Sequence, residues 1–134
     1  MENKSIKLLV VDDEPEILYS FEKYYKYNNH TIQCCSNGTD ALNFIKKEKF
    51  DIVILDYNMP EFSGSDICWR MKKFDQQIKI IILTGNYSCD AYNDSLCSEG
   101  LCPDGFIYKP IDFSELDKII AGVIKGEKFY NASC

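Results

Sequence analysis

Ile6-Lys7-Leu8-Leu9-Val10-Val11-Asp12-Asp13-Glu14-Pro15 is the stretch on which the fold turns. The almost uninterrupted apolar run at 6–11 is what a strand buried on both faces requires, because parallel strands covered by helices have no polar side. The run stops at three consecutive carboxylates and a proline. Pro15 suits the first turn of a helix, where its missing N–H costs nothing. Residues 15–27 then carry Ile17, Leu18, Phe21 and Tyr24 or Tyr25 at helical spacing. The segment therefore reads as one βα unit with its charge concentrated in the turn.

The same alternation of short apolar runs and longer amphipathic ones recurs along the chain, and five such units can be counted. Continuous apolar runs at 52–55 and 80–83 join 6–11 as central strands, while weaker runs at 31–34 and 106–108, flanked by turn-forming or polar residues, are flanking or edge strands. Residues 40–49, 63–74 and 113–124 give three more helices; Asp112 or Ser114 is placed to cap the last, and Ile119, Ile120, Val123 and Ile124 extend its apolar stripe. The helix after the fourth strand would fall at 88–99, a stretch rich in Ser, Asn, Asp and Cys, so a short or mobile element is expected there. The predicted architecture is α/β: a doubly wound, five-stranded parallel sheet with about five helices in a three-layer α/β/α sandwich. No internal repeat, linker or domain boundary interrupts it; residues 1–125 form one domain and 126–134 a short C-terminal tail.

Composition agrees. The 134 residues correspond to about one domain at the rough ~150 residues per domain, and 46% hydrophobic with 27% charged residues excludes collagen-like, low-complexity and disordered chains. No run reaches the ~18 uncharged apolar residues of a membrane helix. The N-terminus turns acidic after a short apolar run and so resembles neither a signal nor a transit peptide, which makes the cytoplasm the expected location. A net charge of -6 lacks the positive field that gives affinity for nucleic acid, so no direct nucleic-acid binding is expected. Seven scattered cysteines with no export signal read as reduced thiols. Cys89, Cys97 and Cys102 fall close enough together to raise metal binding or oxidant sensing as a rival, but His30 is the sole histidine and no zinc-ligand spacing is present.

In a parallel α/β sheet, ligands collect beyond the carboxyl ends of the strands. Those ends carry Asp12-Asp13-Glu14, Asp56, Thr84-Gly85 and Lys109-Pro110. Each has a bland explanation: Asp13 or Glu14 caps a helix, Asp56 opens a turn with Asn58 and Pro60, Thr84 caps the next segment, and Lys109 is solvated. Their convergence argues otherwise, because clustered carboxylates repel and destabilise unless a cation or a lysine neutralises them. Oxygen ligands on several loops suit Mg²⁺, with Asp13 and Asp56 the best placed. A carboxylate beside Mg²⁺ can attack a phosphoryl group and form an aspartyl phosphate, with the metal and the Lys109 ammonium offsetting charge on the phosphoryl oxygens. Thr84 can hydrogen-bond a phosphoryl oxygen, and Gly85 leaves room beside it.

Asp12-Asp13 after Val10-Val11, Asp56 within Val-Ile-Leu-Asp-Tyr-Asn-Met-Pro, Gly64, Thr84-Gly85 after Ile-Ile-Ile-Leu, and Lys109-Pro110 after Phe-Ile-Tyr together resemble a response-regulator receiver domain of two-component signalling, over nearly the whole chain. The resemblance implies a flavodoxin-like strand order 2-1-3-4-5, as in chemotaxis regulators, and a receiver over residues 1–125. It implies Asp56 as phosphoacceptor, and Asp12, Asp13, Asp56 and the Asn58 backbone carbonyl around Mg²⁺, with Mn²⁺ as a substitute and Asp12 acting through water. Thr84 and Lys109 are implied to contact the phosphoryl group, and Thr84 and Phe106 to form the switch. The implied partners are a histidine kinase or histidine phosphotransfer protein and a downstream protein target, reached through the surface of the segment after the fourth strand, the fifth strand and the last helix. The receiver would be no enzyme beyond catalysing its own phosphorylation and dephosphorylation.

Three features depart from or qualify that pattern. Thr84 and Lys109 are 109 - 84 = 25 positions apart, a few more than the family pattern, with the surplus in Glu-Gly-Leu-Cys-Pro-Asp-Gly at 99–105. Phe106 has no hydroxyl, so any switch runs on burial of its ring, with Tyr108 a nearby alternative. Asn58 and Asn86 flank the site and bear on phosphoryl lifetime. Rival readings are a haloacid-dehalogenase-type phosphatase, which wants D-x-D after its first strand; a flavin carrier, whose phosphate the acidic turn would repel; a receiver that binds partners without phosphorylation; and a receiver fragment of a hybrid sensor kinase.

Overall fold

A computed structural model describes residues 5–28, 30–59, 64–85 and 103–127. Its centre is a sheet of five parallel strands in the order β2-β1-β3-β4-β5, built from β1 (Lys7–Val11), β2 (Thr31–Cys35), β3 (Ile52–Asp56), β4 (Lys79–Thr84) and β5 (Gly105–Tyr108). The three continuous apolar runs are the central strands, and β3 is buried along its whole length. The two runs with polar flanks, β2 and β5, take the edges.

Two strands run further than their apolar residues. Asp56 is the last residue of β3 and pairs with Leu83; Thr84 is the last of β4 and pairs with Tyr108. The ladder continues past them, with the Tyr57 N–H donating to the Leu83 carbonyl at 3.0 Å and the Lys109 N–H to the Thr84 carbonyl at 2.7 Å. Chemistry-bearing residues expected in turns are therefore held by sheet backbone, which fixes them more tightly than a loop does.

Four helices lie among the described residues: α1 (Pro15–Tyr25), α2 (Gly38–Lys47), α3 (Gly64–Phe74) and α4 (Phe113–Ile124). The helix expected at 88–99 lies outside the described residues, as do Cys89, Cys97, Cys102 and Cys134. α2 starts two residues earlier than its apolar pattern suggested because Asn37 caps it, its Oδ1 accepting the Asp40 N–H at 2.8 Å. Asp112 rather than Ser114 caps α4, accepting from the Ser114 and Glu115 N–H groups. None of the described helices is long and apolar enough to cross a membrane.

Strand alternation sorts the core into two layers. Leu9, Val53, Leu55, Ile80 and Phe106 pack with Ala41 and Ile45 of α2 and with Ile67 and Met71 of α3. Leu8, Val10, Ile54, Leu83 and Ile107 pack with Phe21 and Tyr25 of α1 and with Leu116 and Ile120 of α4. Side chains join α1 to α4 directly: Tyr24 and Tyr25 donate their hydroxyls to Asp117 at 2.6 and 2.9 Å, and Phe113 stacks on Tyr24. That joint anchors α1, whose N-terminus bears the acidic turn. Cys34, Cys35 and Cys68 are free thiols; burial pushes them up to about 12, 11 and 12, so they stay protonated and unreactive.

At the opposite end of the sheet from the acidic turn, buried Asp104 sets where β5 begins. Its Oδ2 accepts the Ile80 N–H at 2.9 Å and its own N–H donates to the Ile80 carbonyl at 2.8 Å. The Lys72 ammonium stands 3.7 Å from the same carboxylate and donates to the Ile78 carbonyl at 2.6 Å. Asp104→Ala would leave a buried N–H unpaired and a partly buried ammonium without its counter-ion. It is expected to lower the unfolding free energy by about 2–4 kcal/mol in urea titrations; a loss within about 0.5 kcal/mol would show that this joint is dispensable.

Candidate functional site

The carboxyl ends of β1, β3, β4 and β5 meet in one pocket. Asp12 follows β1 with its N–H donating to the Cys35 carbonyl at 3.2 Å, so the end of β2 also holds it. Its side chain is fully buried, and Oδ1 accepts the Glu14 N–H at 2.8 Å. Asp56, also buried, accepts the Asn58 N–H on Oδ1 at 3.1 Å, in an Asx-type turn that aims the carboxylate into the pocket.

Lys109 enters from β5 and is the cation of the pocket. Its Nζ lies 2.6 Å from Glu14 Oε2, 3.1 Å from Asp12 Oδ2 and 3.6 Å from Asp56 Oδ2. Apart from that ion pair with Lys109, Asp12 Oδ2 is buried without a hydrogen-bond partner among the described residues. Single carboxylate oxygens of Asp12, Asp13, Glu14 and Asp56 all lie within 4.8 Å of one another.

These contacts set the protonation states. Burial is the main effect on Asp56 and pushes it up to about 6; the Asn58 N–H pulls it down, Asp12 pushes it up, Lys109 pulls it down and Asp13 pushes it up. Asp12 is raised too, again mainly by burial and against the opposing pull of the Glu14 N–H and Lys109. Burial alone would weaken the Lys109 ammonium, but Glu14, Asp12 and Asp56 together outweigh it and keep Lys109 charged. One ammonium against this many carboxylates leaves the pocket short of positive charge. An acidic pocket with a buried carboxylate oxygen held only by a shared ion pair suits a hard divalent cation that takes oxygen ligands.

Thr84 is fully buried at the end of β4, next to Tyr108 across the ladder. Phe106 pairs with Ile82, one step deeper in the sheet, and its ring belongs to the α2/α3 side of the core. A Cβ added to Gly85, next to Thr84, would meet nothing within 4 Å among the described residues. Asn86 lies outside the described residues. Glu14 is the residue that sequence pattern alone did not assign to the pocket. Its position before Pro15 suggested a helix cap, yet its side chain makes no cap hydrogen bond and reaches Lys109 instead. Its membership of an acidic triplet was the available signal, and the ion pair spans 95 positions of sequence.

A family model described as response regulator receiver domain matches residues 8–121. The chain belongs to that family. Among relatives of this receiver, the response regulator MprA of Mycobacterium ulcerans (strain Agy99) is 26% identical over 112 residues, covering 84% of this chain and 47% of the relative. The MprA of Mycobacterium bovis (strain BCG / Pasteur 1173P2) is 25% identical with the same coverage. The receiver thus spans about half the length of these relatives. Among solved structures, the signal receiver domain of a putative Luxo repressor protein from Vibrio parahaemolyticus is 28% identical, with a TM-score of 0.80 and coverage of 92% of each chain. A CheY-like receiver domain protein from Methanospirillum hungatei JF-1 shares the fold at 23% identity, with a TM-score of 0.81 over 92% of this chain and 96% of that one.

The raised Asp56 carries a pH signature. Its folded value of about 6 lies above the ordinary 3.8, so between those values the folded state binds more protons than the unfolded one. The stability gained on protonation is complete below the ordinary value and is lost as pH rises through about 6. Metal-free Asp56→Asn is therefore expected to be more stable than the parent at about pH 7.5, by on the order of 2 kcal/mol. Thermal melts across pH 4 to 8 should show that advantage shrinking towards acid; a pH-independent difference would contradict the burial effect.

Proposed function

We propose that this receiver accepts a phosphoryl group on Asp56 from a partner histidine kinase or histidine phosphotransfer protein. The supporting observation is the pairing of a buried carboxylate, fixed at the end of β3 by the Asn58 N–H, with the Lys109 ammonium 3.6 Å from its other oxygen. In the transfer, an Asp56 oxygen attacks phosphorus and the phosphorus–nitrogen bond to the donor histidine breaks, returning the electron pair to the imidazole. Lys109 offsets charge on the phosphoryl oxygens, and the Thr84 hydroxyl, one strand over, donates to one of them. Asp12, Asp13, Asp56 and the Asn58 carbonyl would hold Mg²⁺ or Mn²⁺, and buried Asp12 Oδ2 is suited to this because only a shared ion pair with Lys109 meets its charge. Bound there, the cation supplies positive charge to the carboxylates and to the transferring phosphoryl oxygens.

The output is a shift of an existing equilibrium rather than turnover of a substrate, so the chain is not an enzyme in the ordinary sense. Thr84 moving towards the phosphoryl group opens space for the Phe106 ring. The change is read by a downstream protein at the surface of the segment after β4, of β5 and of α4. Residues 1–125 make up the receiver, with 126–134 a tail. A net charge of -6 favours protein partners over nucleic acid, and the cytoplasm is the setting in which a kinase would reach it.

Acetyl phosphate with Mg²⁺ is expected to add one phosphoryl group to the intact mass of the parent and none to that of Asp56→Asn, and chelation should abolish the gain. Equal mass gain in Asp56→Asn would overturn the assignment of the phosphoacceptor. Beryllofluoride with Mg²⁺ is expected to move amide resonances along β5 and α4 as well as around Asp56. Changes confined to the pocket would remove the switch.

A further inference from the structure

We infer that Glu14 governs the rate at which the receiver takes up its phosphoryl group, by holding the Lys109 ammonium at the mouth of the pocket. The inference rests on the reading of Asp56 as phosphoacceptor.

The distances rank the claims on Lys109. Among the carboxylates of the described residues the nearest is Glu14, at 2.6 Å, and the farthest of its three ion pairs is Asp56, at 3.6 Å, the group it is to serve. Exposure sets Glu14 apart as well: its side chain is 55% exposed, whereas those of Asp12 and Asp56 are 0% and 4% exposed. The ammonium is thus drawn to the solvent side of a buried carboxylate pair. At 2.6 Å the contact is a charge-assisted hydrogen bond at the strong end of its class.

A carboxylate here suits the positive end of α1, but its side chain does not cap the helix. Glu14 is the N-cap of α1, with extended backbone at φ -91° and ψ 114°, where Ser, Thr, Asp or Asn would bond the first turn. Its side chain makes no such bond. The Glu14 N–H is tied to Asp12 Oδ1 and Pro15 follows, so the backbone that carries the carboxylate is fixed against the pocket. What glutamate adds over a good N-cap residue is the extra methylene that lets its carboxylate reach Lys109. With one of its donors committed to Glu14, Nζ turns to a phosphoryl oxygen on Asp56 more readily the weaker that contact is. Glu14 touches none of the reacting atoms in this account and acts through Lys109, which makes it a positioning residue.

The test is a set of phosphorylation rates with acetyl phosphate and Mg²⁺, followed by intact mass in the full chain. Glu14→Gln is expected to be about threefold to tenfold faster than the parent, the factor that follows from releasing one partly exposed charge-assisted contact. Glu14→Asp keeps the charge, but its shorter carboxylate falls back onto the first turn of α1. It is expected to be faster as well, with an unchanged or higher melting temperature. In a Lys109→Ala background the Glu14→Gln gain should vanish, because the two residues then have no contact to lose. Equal rates for the parent and Glu14→Gln would overturn the inference while leaving phosphorylation of Asp56 intact. An undiminished gain in the Lys109→Ala background, or a slow Glu14→Asp beside a fast Glu14→Gln, would also overturn it and assign the effect to charge repulsion alone. Absence of any mass gain on Asp56 in the parent would overturn the phosphoacceptor reading itself, and the inference with it.

Discussion

Two carboxylates, Asp12 and Asp56, are buried at the end of a parallel sheet, and the Lys109 ammonium is what makes that burial tolerable. Burying an unpaired charge is costly enough that a carboxyl group usually takes up a proton instead. Here the pocket meets that cost only in part. Lys109 serves three carboxylates, Asp56 remains pushed up to about 6, and Asp12 Oδ2 has only its share of that ammonium. That unmet demand for positive charge is what makes the acidic cluster of Asp12, Asp13, Glu14 and Asp56 a candidate site for a hard divalent cation.

The rest of the fold holds that arrangement still. β1 and β3 place the two aspartates side by side, β4 ends in Thr84, and the Lys109 N–H closes onto the Thr84 carbonyl at 2.7 Å. At the far end of the sheet, Asp104 and Lys72 fix where β5 starts and so where Lys109 ends up. On the α1 side, the hydroxyls of Tyr24 and Tyr25 on Asp117 secure the helix whose N-terminus carries Glu14. Conflicting local preferences are confined to the pocket: a glutamate that does not cap, and carboxylates that lie within 4.8 Å of one another. Proteins tend to break local rules where function requires it, while the remaining elements obey theirs.

Much of this was legible along the chain. Apolar runs without a polar face marked β1, β3 and β4 as central strands, and runs with polar flanks marked β2 and β5 as edges, because parallel strands between helix layers leave no other pattern. The acidic turn after β1, Asp56 after an apolar strand, and Lys109-Pro110 near the end pointed to one pocket, because strand ends on one side of such a sheet are neighbours in space. Limits of elements were less legible. The start of α2 is set by the Asn37 side chain, and the reach of β3 and β4 through Asp56 and Thr84 by hydrogen bonds to neighbouring strands, none of which leaves a periodicity in sequence.

By itself, then, the sequence determined the fold class, the family and the carboxylates and ammonium that converge, since these depend on residue type and on spacing along the chain. Only the tertiary structure decided how Lys109 is shared among them, that Asp12 Oδ2 is buried against that shared charge, and that Glu14 faces the lysine instead of its own helix. The physical reason is that such choices are settled by distances of a few tenths of an ångström between residues some 95 positions apart, which strand pairing and helix packing fix and no local pattern encodes.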